Sequence, residues 1–307
     1  MLTIAVAIAA TIAGSRAGAG ALPGPPAPAP ASPAPADPKQ RVLVACAPGY
    51  PGTTAQAQST MDELARVLGA AAGWPEGWLG AVYHESLAGG VARLRESGAV
   101  LALVTLPFFL QEGRRLGLTP RLQAVPESGA SEIFSLVARR GSVTSAASLD
   151  GWEVTGSAGY APAFVSGPIL ASWGTLPRTT RITFAPAALS ALRRAADGEK
   201  LAVILDAAAT TALPSLPFAA ELEVVTRSRP LPASFLCTVG KRLTLREIDA
   251  VVHALERLPG SAAGAEVLRS IRLSRFQPVD TKELESARQM FASAMAPPDS
   301  APSGASR

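Results

Sequence analysis

The chain of 307 residues has little of the material that builds metal centres, disulfide frameworks and nucleic-acid interfaces. It has two cysteines and two histidines, which excludes a disulfide-stapled scaffold and leaves no zinc-ligand spacing. Aromatic residues make up 5%, and the basic side chains are scattered rather than clustered along a stripe. We therefore expect no cofactor, no metal and no nucleic-acid partner.

Charged residues are also scarce, at 17%, whereas hydrophobic residues reach 48%. This apolar content excludes an intrinsically disordered protein, because it is ample for a hydrophobic core. Beyond residue 20 the sequence has no uninterrupted apolar stretch of about 18 residues, the length that a membrane span requires. The composition therefore favours a globular protein over a multi-pass membrane protein.

The first residues have the composition of an export signal. Residues 2–13 read LTIAVAIAATIA, and the Ala-Gly-Ala at 19–21 resembles a cleavage site, although no Lys or Arg precedes the apolar run. The pattern predicts a signal peptide over residues 1–21, cleaved near Ala21, and hence a periplasmic protein.

Two further segments have the composition of spacers rather than of packed structure. Residues 22–40 contain eight prolines among Ala, Gly and Ser, which predicts a semi-rigid linker. Residues 296–307 predict a frayed tail. The folded part is then expected to span about 41–295.

Within this part, buried-strand and amphipathic-helix patterns alternate. Strands are predicted at Arg41–Ala47, Leu79–His84, Val100–Thr105, Arg121–Val125, Glu132–Arg139, Trp152–Thr155, Arg181–Phe184, Lys200–Leu205, Leu222–Arg227 and Ser234–Val239. Helices are predicted from Thr53 or Thr54 to about Ala70 and at Ser86–Arg95, Pro162–Trp173, Pro186–Ala196, Thr244–Leu258, Ala263–Ile271 and Asp280–Met295. Alternating strands and helices imply parallel sheets covered on both faces.

The strand–helix units fall into two sets, which predicts an α/β fold of two doubly wound lobes. The first lobe is expected to comprise residues 41–125 plus 234–295, because the helices after 244 have no strands of their own and need an existing sheet. The second lobe is expected over 132–224. The chain then crosses between the lobes twice, as a hinge would, and a ligand site is expected in the cleft at the carboxyl ends of the strands.

Four phrases carry a resemblance to a known family: VACAPGYPGTT, AVLALVTLPFFL, SLDGWEVTGSAGYAPAF and GEKLAVILDAAA. With the order of elements, they resemble the phosphate, phosphite and phosphonate substrate-binding proteins of ABC transporters, over about residues 41–290. The resemblance implies the type-2 periplasmic binding-protein fold. The turn after Ser157 has fewer hydroxyl residues than is usual in that family.

Four candidate ligand residues lie in the first lobe, after predicted strands. Tyr50 can close its ring over a ligand or simply cover a helix end. Thr53 and Thr54 begin a helix, whose N-terminus suits an anion, and either can equally be the N-cap. Thr105 ends the third strand, before an apolar Leu-Pro-Phe-Phe run that is expected to be core or cleft wall.

Four more candidates lie in the second lobe. Ser157, Gly159 and Tyr160 form the strongest predicted anion-binding turn, because they follow a strand and precede a helix. Asp206 ends the LAVIL strand. The resemblance implies that an acid here accepts hydrogen bonds from a ligand amine or a protonated oxygen, while the plainer alternative is helix capping.

Two further residue pairs are expected to lie outside the candidate site. His84 and Glu85 can be an acid–base pair, but a strand-to-helix turn capped by Ser86 is the interpretation we favour. Cys46 and Cys237 can form a disulfide in an exported protein, although two buried free thiols fit their apolar strands better.

The function predicted from these observations is solute binding rather than catalysis, because no G-x-S-x-G, H-E-x-x-H or P-loop motif occurs. The resemblance implies a monomeric periplasmic protein that closes on phosphate, phosphite or a phosphonate and delivers it to an ABC permease. An exported sensing or interaction module on the same fold remains the alternative. A neutral polar solute is nearly as compatible with the candidate residues, and so is a protein that has lost binding.

Overall fold

The computed structural model of the protein describes residues 41–50 and 52–296. The predicted signal peptide over 1–21, the linker over 22–40 and all but the first residue of the predicted tail lie outside the described residues. In the part of the chain that is described, the helices are too short or too polar to cross a membrane.

The strands, in chain order, are β1 (Arg41–Cys46), β2 (Leu79–His84), β3 (Ala99–Thr105), β4 (Leu118–Pro126), β5 (Ser131–Glu132), β6 (Ser135–Arg139), β7 (Glu153–Gly156), β8 (Arg181–Phe184), β9 (Leu201–Leu205), β10 (Leu222–Arg227), β11 (Leu231–Pro232), β12 (Ser234–Val239) and β13 (Leu273–Pro278). The helices are α1 (Thr54–Ala71), α2 (Leu87–Arg95), α3 (Leu106–Leu116), α4 (Pro162–Phe164), α5 (Ala188–Ala196), α6 (Ala207–Ala212), α7 (Leu245–Arg257), α8 (Ala262–Ser270) and α9 (Thr281–Met295).

The first sheet has the strand order β13-β4-β12-β3-β1-β2. β1 pairs in parallel with β2 and β3, so that Val44 lies opposite both Val82 and Ala102. β12 is antiparallel to β3 and β4, and β13 is antiparallel to β4. The expected parallel sheet is therefore mixed, because β12 returns from the second sheet and inserts between β3 and β4 in the opposite direction.

The continuous apolar run of β1 reflects burial of this strand on both faces. Val42, Val44 and Cys46 point into one core, whereas Leu43 and Ala45 point into the core on the other face. The alternation of side chains along a strand assigns neighbouring residues to opposite faces. β1 is thus the centre of the first lobe, by which we mean the first sheet and the helices on it.

The second sheet has the strand order β10-β6-β9-β7-β8. β7 pairs in parallel with β8 and β9, and β6 is antiparallel to both β9 and β10. This sheet, with α4, α5, α6 and the turns between its strands, is called the second lobe below. It is also mixed, because β6, which follows the first crossing, runs opposite to the other four strands.

The two crossings that the sequence predicted run side by side. β5 lies on the first crossing and β11 on the second, and they pair as a short antiparallel ribbon in which Glu132 lies opposite Leu231. The backbone hydrogen bonds of this ribbon tie the two crossings to each other. Ligand sites are commonly found where two such lobes meet, which makes the ribbon one wall of the cleft.

The C-terminal helix departs from the expected arrangement. All helices after residue 244 were expected on the first lobe, but α9 packs against α4 and the turn that follows it, in the second lobe. The backbone there approaches closely, since a Cβ on Gly167 would lie 2.5 Å from the carbonyl oxygen of Met290. The Arg288 guanidinium lies 5.3 Å from the ring centroid of Phe109 in the first lobe. The assignment of residues 234–295 to the first lobe is therefore wrong for α9, which contacts both lobes.

Other elements also differ from the prediction, among them α3, which was not predicted. The helix predicted at Pro162–Trp173 is α-helical only over Pro162–Phe164 and continues as a π-helical turn, Val165–Ile169, that contains Pro168. Proline cannot donate the backbone hydrogen bond that an α-helix needs at that position. The strand β13 was not predicted.

Both cysteines are free and buried. Cys46 lies on β1 and Cys237 on β12, and β3 separates these two strands in the sheet. Burial raises the pKa of the Cys46 thiol to about 12, which leaves it protonated and unreactive at neutral pH.

Candidate functional site

The carboxyl ends of strands from both sheets meet at one cavity. The chain leaves β1 towards α1, β3 towards α3, β7 towards a 3-10 turn and β9 towards α6 at this place. Eleven described residues line the cavity: Pro48, Tyr50, Thr105, Pro107, Glu132, Phe134, Ser157, Ala158, Tyr160, Asp206 and Ala233. In a doubly wound fold this edge of the sheet is where ligands bind.

Five of the eight predicted ligand residues line this cavity: Tyr50, Thr105, Ser157, Tyr160 and Asp206. They come from loops that are as far apart in the sequence as residues 50 and 206. The strand-end rule brings them together because each follows the carboxyl end of a strand.

Thr53 and Thr54 do not line the cavity, because both are engaged at the start of α1. The Thr53 hydroxyl accepts a hydrogen bond from the Gln56 backbone amide, and the Gln56 side chain accepts one from the Thr53 amide. The Thr54 hydroxyl and amide both donate to the Glu85 carboxylate, at 2.7 and 3.0 Å. Thr53 is therefore the N-cap of α1, and Thr54 is hydrogen-bonded to Glu85.

Gly159 does not line the cavity either, and it has a packing role. A Cβ at this position would lie 1.8 Å from the carbonyl oxygen of Thr183 on β8. The absence of a side chain lets the turn Ser157–Tyr160 lie flat against the neighbouring strand. Gly159 thereby positions Ser157 and Tyr160, rather than approaching a ligand with its own backbone.

The hydroxyl groups form the neutral part of the site. Thr105 and Tyr160, from opposite lobes, share a hydrogen bond of 3.0 Å between Oγ1 and Oη. Tyr50 is 47% exposed as a whole residue, but its hydroxyl is shielded, and burial raises its pKa above the ordinary value. The carboxylates of Asp206 and Glu132 add to that rise. Burial raises the pKa of Tyr160 as well, so both tyrosines stay protonated and can donate a hydrogen bond.

Glu132 is the site residue that the sequence reasoning missed. It lies on the ribbon strand β5, is 8% exposed, and accepts a hydrogen bond of 2.6 Å from the Ala207 amide. Burial raises its pKa, the hydrogen bond from the Ala207 amide opposes part of that rise, and the neighbouring Asp206 adds to it. One feature of the sequence could have pointed to Glu132 as a site residue: it is an acidic residue in the first crossing, directly before the apolar IFSLVA run.

Asp206 performs the capping role and lines the cavity as well. Its carboxylate accepts a hydrogen bond of 2.7 Å from the Ala209 amide. A carboxylate can accept several hydrogen bonds, so the Asp206 carboxylate can cap α6 and still accept a hydrogen bond from a group in the cavity.

Among the described lining residues there is no Arg, Lys or His. The cavity therefore combines hydroxyl donors with two carboxylates and no fixed positive charge.

We expect Glu132→Gln to stabilise the protein near neutral pH. The raised pKa means that the folded state favours the protonated acid, so the stability it contributes is present at low pH and is lost as the pH rises through that pKa. Glutamine keeps an oxygen for the Ala207 amide and carries no charge. Thermal unfolding should show a midpoint about 2–4 °C higher at pH 7, the shift that about 1 kcal/mol produces in a domain of this size. The difference should vanish in acid; an equal gain at all pH values would contradict the assignment.

The pair His84 and Glu85 lies outside the cavity. Ser86 caps α2 by accepting from the Gly89 amide, and the Glu85 carboxylate holds Thr54. Burial lowers the pKa of His84, so its ring is neutral at pH 7. The arrangement matches the strand-to-helix turn that we favoured over an acid–base pair.

Comparisons with solved structures agree with this architecture. XAC2383 from Xanthomonas citri, solved bound to chloride and bound to ATP, superposes with a TM-score of 0.66 at 13% identity, over 84% of this chain and, for the chloride form, 99% of its own. The binding protein component of an ABC phosphonate transporter from Pseudomonas aeruginosa, PA3383, superposes with a TM-score of 0.60 at 15% identity, over 83% of this chain and 87% of its own.

A third structure is PhnD1 from Prochlorococcus marinus in complex with methylphosphonate, with a TM-score of 0.59 at 12% identity, over 84% of this chain and 98% of its own. The chain has the type-2 periplasmic binding-protein fold. No protein-family model matches the sequence, and no curated protein matches it. The likeness is therefore one of fold, and within that fold the cavity lies between the lobes.

Proposed function

We propose that the protein is a monomeric periplasmic solute-binding protein that closes on a small phosphorus oxyanion and delivers it to an ABC permease. The observation that carries the proposal is the meeting of hydroxyls from both lobes, those of Tyr50 and Ser157, with the carboxylates of Glu132 and Asp206 in one cavity. Binding needs only such convergent polar groups. Neither histidine lines the cavity, which favours binding over catalysis.

The charge of the cavity narrows the solute class. Two carboxylates without a facing cation repel a fully ionised anion, but they accept hydrogen bonds from a protonated oxygen or an ammonium group. Phosphate, phosphite and phosphonates carry a proton on oxygen over part of the neutral range, and aminoalkylphosphonates also carry an ammonium group. Sulfate carries no proton at neutral pH. We therefore expect the site to accept phosphorus oxyanions and to reject sulfate.

The fold comparisons support this choice of solute. PA3383 is a component of an ABC phosphonate transporter, and PhnD1 was solved with methylphosphonate. Their likeness to this chain lies in the fold, so the solute assignment depends on the residues of the cavity. Periplasmic location, the permease partner and the monomeric state belong to the same proposal.

The proposal is tested by thermal unfolding and calorimetry of the full chain with phosphate, phosphite, methylphosphonate, 2-aminoethylphosphonate and sulfate. A bound solute at about 100 times its dissociation constant should add about 2.7 kcal/mol of stability. We expect stabilisation by at least one phosphorus oxyanion and none by sulfate. No response to any phosphorus oxyanion, or an equal response to sulfate, would overturn the proposal.

The matched variant for this test is Asp206→Asn. Asparagine caps a helix as well as aspartate does, so α6 keeps its N-terminal hydrogen bond while the cavity loses one negative charge. We expect the affinity for the protonated or aminated solute to fall, and the selectivity against sulfate to shrink. Unchanged affinity and selectivity would show that Asp206 only caps the helix.

A further inference from the structure

The Thr105–Tyr160 hydrogen bond joins the two lobes directly across the cavity. Thr105 is the last residue of β3 in the first lobe and is buried, whereas Tyr160 lies in the turn after β7 in the second lobe. Tyr160 also packs edge-on against Phe184 of β8, with ring centroids 6.0 Å apart. Its ring is thus anchored in the second lobe while its hydroxyl bonds to the first.

The Tyr160 hydroxyl lies beside the first turn of α3 as well. Burial raises the pKa of this hydroxyl, and the hydrogen bond with Thr105 and, less strongly, the Phe108 amide at the third position of that helix oppose the rise. Thr105 precedes α3 and makes no side-chain capping bond. The Thr105 hydroxyl is therefore not used at the N-terminus of α3 and bonds to Tyr160 instead.

This contact leaves little space in the cavity. The centres of water-sized molecules have about 20 Å³ available, which is room for about one water molecule. A tetrahedral phosphorus oxyanion is several times larger than a water molecule. In this arrangement of the lobes, with Thr105 bonded to Tyr160, the cavity is too small for such a solute.

We propose that Tyr160 is an internal latch: its hydroxyl bonds to Thr105 and holds the cleft closed, and a solute has to displace it in order to bind. The inference rests on the proposed function, which supplies the solute. It gives Tyr160 a role opposite to that of an ordinary ligand contact. When part of the population is latched, only the open molecules bind solute. The apparent association constant is then that of the open form multiplied by the fraction of molecules that are open.

The test compares Tyr160→Phe with Tyr83→Phe in the full chain. Both substitutions remove one phenolic hydroxyl, but the Tyr83 hydroxyl bonds to backbone carbonyls of Ala47 and Tyr50 within the first lobe. Spin labels are attached at the exposed positions Ser59 and Ser190, one in each lobe, as Ser59→Cys and Ser190→Cys. The native cysteines are buried and do not take up label.

Without added solute, we expect Tyr160→Phe to increase the population with a long distance between the labels by about two- to tenfold, the effect of deleting one neutral hydrogen bond. Tyr83→Phe should leave the distribution unchanged. Thr105→Val should act as Tyr160→Phe does, and the double variant should add nothing further, because both remove the same bond. An unchanged distance distribution in Tyr160→Phe would overturn the latch.

Calorimetry with phosphite and methylphosphonate supplies the second readout. The latch predicts that Tyr160→Phe binds the solute more tightly than wild type, by up to the same factor as the open population increases. Weaker binding would show that Tyr160 is an ordinary ligand contact and would also overturn the latch. If neither wild type nor variant binds any phosphorus oxyanion, the proposed function fails, while the distance distributions still decide whether the hydroxyl holds the lobes together.

Discussion

Gly49→Ala is expected to keep the two lobes from closing fully. Gly49 follows β1, and a Cβ built on it would lie 2.7 Å from the Cβ of Ser157 in the opposite lobe. Carbon atoms cannot approach so closely, so one of the two loops must move away. Overpacked contacts cost about 1–3 kcal/mol, which corresponds to a population with separated lobes larger by about five- to hundredfold. The distance distribution between spin labels at Ser59→Cys and Ser190→Cys measures this increase.

The control for this prediction is Gly52→Ala. Gly49 and Gly52 both have positive φ, +84° and +106°, so alanine is strained at either position. The nearest atom to a Cβ at Gly52 is the Gln56 side-chain oxygen, at 4.0 Å, and no residue of the second lobe is close. Gly52→Ala therefore has the same kind of backbone strain as Gly49→Ala but makes no new contact between the lobes. Equal distance distributions for the two variants would contradict the role of Gly49 in closure.

Most of the fold could be predicted from the sequence because its central strands are buried on both faces. β1, β3 and β9 are continuous apolar runs, and their ends are marked by residues that begin a loop or cap a helix, such as Pro48 and Asp206. These signals are local. They are strong because a strand in the middle of a doubly wound sheet has no solvent-facing side.

The elements that were missed lack such local signals. α3 begins directly after β3. Its first residues, LPFFL, continue the apolar run of β3 and give no separate signal for the start of a helix. β13 has only Leu273 and Phe276 buried, and it is a strand because the edge of β4 is available to pair with it. The position of α9 is likewise set by a tertiary surface, the close approach to Gly167 in the second lobe.

The same distinction holds in the cavity. Tyr50, Thr105, Ser157, Tyr160 and Asp206 follow strand ends, and the strand-end rule is enough to bring them together. Glu132 faces the cavity because β5 pairs with β11, about 100 residues later in the chain, and no local pattern encodes that pairing. Thr54 was expected at the cavity and is instead hydrogen-bonded to Glu85, a contact between the start of α1 and the loop after β2 that the sequence does not show.

Gly159→Ala is expected to destabilise the fold more than Gly49→Ala does. The added Cβ would lie 1.8 Å from the Thr183 carbonyl oxygen, 2.5 Å from its carbon and 3.0 Å from the Phe184 amide nitrogen. These are backbone atoms of β8, which cannot rotate away as a side-chain tip can. A loss of about 3 kcal/mol, at the upper end for overpacking, would lower the unfolding midpoint by about 6–12 °C.

The control is Gly260→Ala, at a position where no atom lies within 4 Å of the added Cβ and φ is not positive. Its unfolding midpoint should differ little from that of wild type. A midpoint for Gly159→Ala as high as that of Gly260→Ala would mean that the turn Ser157–Tyr160 can move away from β8 at little cost in free energy.

The turn Ser157–Tyr160 carries two residues of the cavity that bear hydroxyls. Its fixed position against β8 is what allows the Tyr160 hydroxyl to reach Thr105. If alanine at 159 leaves the fold intact but moves the turn, the Thr105–Tyr160 bond should weaken with it, and the cleft should open as it does in Tyr160→Phe.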